Sequence, residues 1–206
     1  MKREIHAIST GRQSIESLTT IVEEIHPFVD AIHIREKSKT ASEIYQIVQK
    51  LLENEVPLDK IIINDRVDIA YVCKVQGIHL AHHSLPVYAV KNEFPGLRIG
   101  YSCHSLVEAR KAEKEGADYL FFGHVYATTS KPGLPPKGLK QLKNICRGVN
   151  VPVLAIGGVK PSNIPDILQT GANGIVLMSG IFEAEDPKGA ANDLVKKVNK
   201  GTGGYT

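Results

Sequence analysis

The sequence predicts a single (β/α)8 barrel, in which eight parallel strands form a closed core surrounded by helices. Short apolar runs alternate with longer amphipathic stretches along the whole chain of 206 residues, with about 25 residues in each strand-and-helix unit, as in a minimal barrel. Several runs are apolar at consecutive positions, which is typical of strands covered on both faces. A G-x-G-x-x-G motif after the first strand would favour an open dinucleotide-binding sheet, and it is absent.

Eight apolar runs are predicted to form the strands of the barrel. Ile61-Ile62-Ile63 and Val153-Leu154-Ala155-Ile156 are the clearest, because neither contains a polar residue that would face solvent. In chain order the predicted strands are Glu4–Ile8, Ala31–Arg35, Lys60–Asn64, Gly77–Leu80, Arg98–Ser102, Tyr119–Gly123, Val153–Ile156 and Gly174–Met178.

Eight amphipathic segments between and after these runs are predicted to be helices. Thr40 and Ser105 each precede a glutamate by three residues, the spacing of a capping box at a helix start. Gly116 and Gly171 fall where two helices should end, as C′ glycines do. The predicted helices are Ile15–Ile25, Thr40–Asn54, Asp68–Val75, Pro86–Glu93, Ser105–Glu115, Leu139–Arg147, Ile164–Gln169 and Ala190–Val198.

The composition is that of a one-domain protein of a reducing compartment. Hydrophobic residues make up 42% of the chain, enough for one core, so residues 1–200 are predicted to form one domain and 201–206 a flexible tail. A net charge of +3 without a basic stripe argues against nucleic acid. Three scattered cysteines favour the cytoplasm, and no segment has the length of a signal peptide or membrane span. We therefore expect a cytoplasmic protein without a membrane partner.

Polar side chains follow most of the predicted strands, where (β/α)8 barrels place their sites. Arg35 and Lys37 follow strand two, Asn64 ends strand three, His104 follows strand five and His124 follows strand six. The loop after strand six adds three more polar side chains, Thr128, Ser130 and Lys131. We expect all of them to surround a small-molecule site.

Two short loops at neighbouring strand ends predict a phosphate site. Gly157-Gly158 follows strand seven, and Met178-Ser179 leads to Gly180 at the end of strand eight. Glycine lets backbone N–H groups approach an anion, and a following helix N-terminus adds a favourable dipole. The alternative is that these glycines only make tight turns.

The sequence resembles the thiamin phosphate synthase superfamily along nearly its whole length. This resemblance implies a (β/α)8 barrel and thiazole phosphate chemistry in thiamin biosynthesis. It is carried by Arg35-Glu36-Lys37, Ile63-Asn64-Asp65-Arg66-Val67-Asp68, Gly77-Ile78-His79-Leu80, Gly100-Tyr101-Ser102-Cys103-His104, Gly116-Ala117-Asp118-Tyr119 and Ala155-Ile156-Gly157-Gly158.

Two departures from the synthase pattern favour a different branch, the TenI-type thiazole tautomerases. Synthases carry carboxylates after strand four, the last of which helps to hold magnesium, whereas this chain has Ala81-His82-His83-Ser84. Synthases also have Gly-Pro after strand six, where this chain has Gly123-His124. Asp65 alone would hold a magnesium diphosphate poorly. The resemblance therefore implies an isomerase without a metal or other cofactor.

For such a tautomerase the substrate would be a carboxythiazole phosphate whose ring becomes aromatic when a proton moves. His124 is the expected general acid and base, since imidazole titrates near neutral pH. Gly157, Gly158, Met178 and Ser179 would bind the phosphate, and Arg35 with Lys37 would bind the carboxylate. Asn64, His104, Thr128, Ser130 and Lys131 complete the expected substrate-binding set.

Other functions stay open from the sequence. Arg35 and Lys37 match positions that synthases use for diphosphate, so a thiamin phosphate synthase with altered metal binding is one alternative, and a non-catalytic sensor of thiazole phosphates is another. Zinc could be bound by five histidines near the ends of strands four, five and six, namely His79, His82, His83, His104 and His124. These histidines lack a ligand-spacing motif. Cys103 is a further candidate nucleophile. The oligomeric state is open, with a homodimer as one option.

Overall fold

The computed structural model describes residues 3–200 and confirms the predicted fold as a closed parallel barrel in which each strand pairs with the next and β8 pairs with β1. The predicted 201–206 tail lies outside the described residues. The strands are β1 Glu4–Ile8, β2 Ala31–Ile34, β3 Ile61–Asn64, β4 Gly77–Leu80, β5 Arg98–Cys103, β6 Tyr119–Gly123, β7 Val153–Ile156 and β8 Gly174–Leu177.

Helices follow the strands and cover the outside of the barrel. A short 3-10 helix, Leu58–Lys60, also precedes β3. The α-helices are α1 Ile15–Ile25, α2 Ala41–Glu53, α3 Val67–Val72, α4 Val87–Glu93, α5 Leu106–Lys114, α6 Gly138–Gly148, α7 Ile164–Gln169, α8 Ser179–Phe182 and α9 Pro187–Lys200.

The structure corrects the predicted elements most clearly at three places, and every other predicted bound agrees to within one residue. Helix α3 ends at Val72 instead of Val75, because Lys74 has a φ of 54°, in the left-handed region where a helix cannot continue. The single last helix expected over Ala190–Val198 is longer, and the short helix α8 precedes it. Arg35 lies just beyond β2, which places it in the loop at the mouth of the barrel.

The predicted helix-capping residues agree with the structure. Thr40 and the glutamate at N3 form the reciprocal capping box, and the Ser105 hydroxyl accepts a hydrogen bond from the backbone N–H of Glu108. Gly116 and Gly171 have φ values of 99° and 95°, the left-handed conformation of a C′ glycine. These ends fix where each helix returns the chain to the barrel.

The barrel interior contains polar side chains as well as apolar side chains. The strand runs are buried on both faces, and Tyr119 and Phe121 of β6 fill the centre of the barrel. His6, His33 and His79 are buried beside them, so the His79 ring points into the core of the barrel. Within residues 3–200, no helix has the length and apolar character required to cross a bilayer.

Candidate active site

One cavity of about 920 Å³ opens at the C-terminal ends of the strands. Its size suits a small organic ligand, since such sites commonly enclose roughly 300–1,000 Å³. The fold brings all the predicted site residues to this one mouth, which is lined by Arg35, Lys37, Asn64, His104, His124, Thr128, Ser130, Lys131, Gly157, Gly158, Met178 and Ser179. Their individual roles stay predictions.

A buried carboxylate shapes the loop after β2. Glu36 accepts hydrogen bonds from the Ser9 hydroxyl at 2.6 Å and from the Lys39 ammonium at 2.6 Å. The Ser9 oxygen in turn accepts from the backbone N–H of Arg35 at 2.8 Å. Because Lys39 already neutralises Glu36, the charges of Arg35 and Lys37 are left for the cavity. Sequence reasoning missed this pair, although Glu36 and Lys39 have the three-residue spacing of an ion pair.

Lys131 is connected to the barrel through a histidine. Its ammonium donates to Nε2 of His104 at 3.2 Å, and Nδ1 of His104 lies 3.5 Å from the Glu108 carboxylate. Burial, and next the neighbouring charge of Lys131, lower the pKa of His104. A neutral His104 can accept from Lys131, so the ring holds the loop after β6 over the cavity.

His124 has one committed ring nitrogen and one free one. The residue is 5% exposed, and its Nε2 lies 3.2 Å from the carbonyl oxygen of Leu134. A carbonyl oxygen can only accept, so Nε2 carries the hydrogen. In the neutral ring Nδ1 is then an acceptor, and this buried atom has no partner within residues 3–200. Because His124 also lines the cavity, this unsatisfied nitrogen makes the residue a candidate ligand contact.

The two glycines after β7 are required by packing. Gly157 has a φ of 93°, and a Cβ there would lie 2.3 Å from Cβ of His124. Gly158 has a φ of 67°, and a Cβ there would meet the carbonyl oxygen of Ala127 at 2.6 Å. The alternative interpretation, that these glycines only make tight turns, is therefore consistent with their positive φ values and close contacts. Beside them, α8 begins at Ser179 without a side-chain cap, so its first N–H groups have no side-chain acceptor.

The residues at the mouth do not fit a protein-bound magnesium ion. Asp65 is exposed, with its carboxylate 3.8 Å from Nε2 of His83. Ser84 stands where a second carboxylate would be needed, and its hydroxyl oxygen accepts from the N–H of Ala81. Glu36 is already paired with Lys39. In the described part of the chain no group of three or more histidines, cysteines and carboxylates is arranged for a metal, which leaves the zinc alternative without a ligand set.

The structure also bears on two side chains outside the predicted set. Cys103 faces the helices, donates to the carbonyl oxygen of Phe121, and has its pKa raised to about 12 by burial, which makes it a poor nucleophile. Lys160, two residues after the glycines, lines the cavity and was missed. A lysine so close behind a predicted phosphate loop was the available signal.

A (β/α)8 barrel with a cavity at its C-terminal mouth belongs to the class of barrel proteins that act on small molecules there. The family model described as thiamine monophosphate synthase matches residues 5–181. The chain belongs to this thiamine monophosphate synthase family.

Similar proteins agree on the family and contradict one expectation. The thiamine-phosphate synthase of Pyrococcus furiosus is 34% identical over 194 residues, covering 94% of each chain. That of Desulfitobacterium hafniense is 40% identical over 173 residues, covering 81% of this chain and 82% of its own. The solved structure of thiamine phosphate pyrophosphorylase from Pyrococcus furiosus superposes with a TM-score of 0.83 at 32% identity, covering 97% of each chain. The predicted isomerase class is wrong, because these relatives carry the names of transferases.

Proposed function

We propose that the protein is a thiamine-phosphate synthase, which joins two substrates. Thiamine phosphate consists of an aminopyrimidine linked by a methylene group to the nitrogen of a thiazolium that carries a phosphate. The name pyrophosphorylase implies diphosphate as the leaving group. A carbon–nitrogen bond then forms between the methylene and the thiazole nitrogen, while the bond from the methylene to the diphosphate oxygen breaks and its electron pair leaves with the diphosphate.

One observation carries this proposal: the cavity has two chemically different regions that favour anions. Gly157, Gly158 and the start of α8 offer backbone groups after β7 and β8. Arg35 and Lys37 after β2, with Lys131 from the loop after β6, offer full positive charges. A reaction that uses one phosphate and one diphosphate needs both regions, and a diphosphate carries enough negative charge to engage all three cations.

The backbone region suits the phosphate of the thiazole. Gly157, Gly158, Met178 and Ser179 lie on the two strands that commonly carry the phosphate site in this fold. Backbone N–H groups and a helix start stabilise a terminal phosphate without a formal charge from the protein. Lys160 lies beside them and adds a flexible cation at the edge of the cavity.

The cationic region suits the diphosphate. Within residues 3–200, no carboxylate forms a salt bridge with Arg35, Lys37 or Lys131, so their charges are available to a ligand. Arg35 can bind two oxygens with its planar guanidinium, and the two lysines add point charges where negative charge builds up on the leaving group. Thr128 and Ser130 supply neutral hydrogen-bonding groups beside these cations. We assign the charge of the diphosphate to these side chains and not to a metal held by the chain.

His124 is the proposed catalytic side chain for orienting the reacting ring. Its Nδ1 accepts a hydrogen bond from a ligand N–H, because the Leu134 carbonyl oxygen keeps the ring hydrogen on Nε2. No net proton transfer is required for the bond to form, so this role differs from the acid–base role expected of an isomerase. His104 acts through Lys131, which it holds over the cavity.

The test is the formation of thiamine phosphate from its two halves. Purified protein is mixed with the aminopyrimidine methyl diphosphate and the thiazole phosphate, and product and diphosphate are measured together. We expect one diphosphate for each thiamine phosphate. Catalytic loss of the non-aromatic thiazole tautomer without any coupling to the pyrimidine would overturn the proposal.

A further inference from the structure

A hydrogen-bonded chain of side chains crosses the interior of the barrel and ends at the cavity. Glu4 lies at the N-terminal end of β1, and its carboxylate oxygen is 2.7 Å from Nε2 of His6. Nδ1 of His6 is 3.0 Å from Nε2 of His33. Nδ1 of His33 then lies 3.2 Å from the side-chain amide of Asn64, which lines the cavity. None of these contacts is used by the proposed reaction.

Each member of this chain restricts the next, because an imidazole nitrogen is either a donor or an acceptor. Glu4 binds Arg98 at 2.9 and 3.0 Å, and the hydrogen bonds from His6 and Arg98 outweigh burial and lower the pKa of Glu4 to about 2. The ionised carboxylate can only accept, so His6 donates through Nε2. Burial lowers the pKa of His6, and in the neutral ring Nδ1 is an acceptor.

The same rule fixes the second histidine. Nε2 of His33 must donate to the acceptor on His6. Burial, followed by the neighbouring His6 and His79, lowers the pKa of His33 well below its ordinary value, so the ring is neutral and Nδ1 is left with a lone pair. Any group of Asn64 that bonds to this nitrogen has to be a donor.

The orientation of the Asn64 amide therefore decides whether the last hydrogen bond of this series can form. The atom nearest to Nδ1 of His33 is Oδ1 of Asn64, and two acceptors cannot share a hydrogen bond. Half a turn about the last side-chain bond exchanges Oδ1 and Nδ2 without changing the shape of the amide. The turned amide donates from Nδ2 to His33 and directs its carbonyl oxygen at the cavity.

We propose that Glu4, His6 and His33 are positioning residues that make Asn64 a hydrogen-bond acceptor towards the ligand. Asn64 then faces an N–H or O–H donor of the substrate and repels phosphate oxygens. Resting on the proposed synthase function, the donor is the amino group of the pyrimidine, and the diphosphate is directed away from Asn64 towards Arg35 and Lys37.

The direct test uses the ligand-free protein, so its outcome does not depend on the synthase proposal. Two-bond nitrogen–proton NMR spectra show which ring nitrogen of a histidine carries the hydrogen, and the signals of His33 are assigned by their loss in His33→Gln. We expect His33 to be neutral with its hydrogen on Nε2. A hydrogen on Nδ1, or a doubly protonated ring, would overturn the proposal without any variant having to remain active.

Glu4→Gln tests the transmission along the chain. Arg98 retains the carbonyl oxygen of the new amide, so the NH2 group faces His6 and donates where the carboxylate accepted. We expect the hydrogen of His33 to move to Nδ1, and the KM for the pyrimidine substrate to rise by about tenfold, as for one buried hydrogen bond turned repulsive, with a smaller change in kcat.

Asp118→Asn is the matched control. It makes the same chemical change at the N-terminal end of β6, where the carboxylate accepts from the N–H of Ile99 and from Lys91. Asp118 is not part of the hydrogen-bonded series that runs from Glu4 to Asn64. We expect the His33 spectrum and KM of the parent. An unchanged His33 tautomer in folded Glu4→Gln, or the same shift of tautomer in Asp118→Asn, would refute transmission through His6. If the synthase assay failed, the His33 spectra of both variants would still test the proposal, because they are recorded on ligand-free protein.

Discussion

At the N-terminal end of the barrel Glu4 binds both Arg98 and His6. At the C-terminal end Arg35, Lys37 and Lys131 line the cavity, and no carboxylate within residues 3–200 forms a salt bridge with them. The first arrangement closes the floor of the barrel, because opposite charges satisfy one another inside the fold. The second leaves positive charge for a molecule that is not part of the fold. Removal of one partner from a charge pair within the fold leaves the other charge uncompensated and destabilises the protein, whereas a charge without a protein partner at a cavity is available for binding.

The strongest test of this comparison is the removal of charge at the mouth. We expect Arg35→Gln and Lys131→Met each to lower kcat/KM for thiamine phosphate formation by roughly 10²–10³-fold, the range for a group that stabilises developing charge, with little change in the free energy of unfolding. Steady-state kinetics and urea unfolding measure the two effects. The control is Lys140→Met, since Lys140 is exposed on α6 and away from the cavity. A comparable loss in this control would mean that net charge alone is responsible.

A smaller effect is expected where the mouth depends on backbone shape. Gly157→Ala forces a Cβ against His124 in addition to a left-handed φ, and should lower the free energy of unfolding by about 2–4 kcal/mol. Gly96→Ala is the matched control, because Gly96 has a φ of 99° with nothing within 4 Å of the added atom. Urea unfolding should give the control a loss of only about 1 kcal/mol. Equal losses would remove the argument that β6 and β7 pack through this glycine.

Acid should weaken the N-terminal floor of the barrel. Burial alone would raise the pKa of Glu4, but the hydrogen bonds from His6 and Arg98 lower it from 4.5 to about 2. The folded state therefore holds this proton less tightly than the unfolded state, so the stabilisation is present above about pH 4.5 and is lost as the pH falls towards 2. Thermal unfolding from pH 6 to 2 should show a shallower decline for Glu4→Gln than for the parent. An identical slope would mean that folding does not lower the pKa of Glu4.

The smallest effect is expected for a partly exposed ion pair near the floor. Lys91 donates to Asp118 at 2.8 Å, with more than a third of each side chain exposed. Lys91→Met should lower the free energy of unfolding by less than about 1 kcal/mol and leave kcat/KM unchanged. A larger loss would show that the stability of the N-terminal floor also depends on this partly exposed ion pair.

The sequence predicted the mouth better than the floor. Arg35, Asn64, His124 and Gly157 could be found because they follow apolar runs, and a parallel barrel collects such positions at one end. Glu4 and His6 begin a strand, where polar residues are usually solvated. The burial of His6 and the partial burial of Glu4 depend on the inward alternation of β1 and on Arg98 from the opposite side of the barrel, a contact between distant residues that no local pattern contains.

The reaction could not be predicted from local departures. Ala81-His82-His83-Ser84 and Gly123-His124 favoured an isomerase because they remove a metal-binding carboxylate and introduce a titratable ring. The similarity of the whole chain to named synthases contradicts that choice. The short helix α8 was missed for a simpler reason, since Ser179–Phe182 is too brief for helical periodicity to be visible.

The central claim, that the mouth holds two separate anions, is tested most directly by calorimetry with inorganic diphosphate and the aromatic thiazole phosphate. The diphosphate is titrated into the protein alone and into the protein saturated with the thiazole phosphate. Two sites predict one equivalent of diphosphate bound in both titrations, with the affinity unchanged or higher in the second. Loss of diphosphate binding in the presence of the thiazole phosphate would mean that one site takes either anion, and would contradict the account.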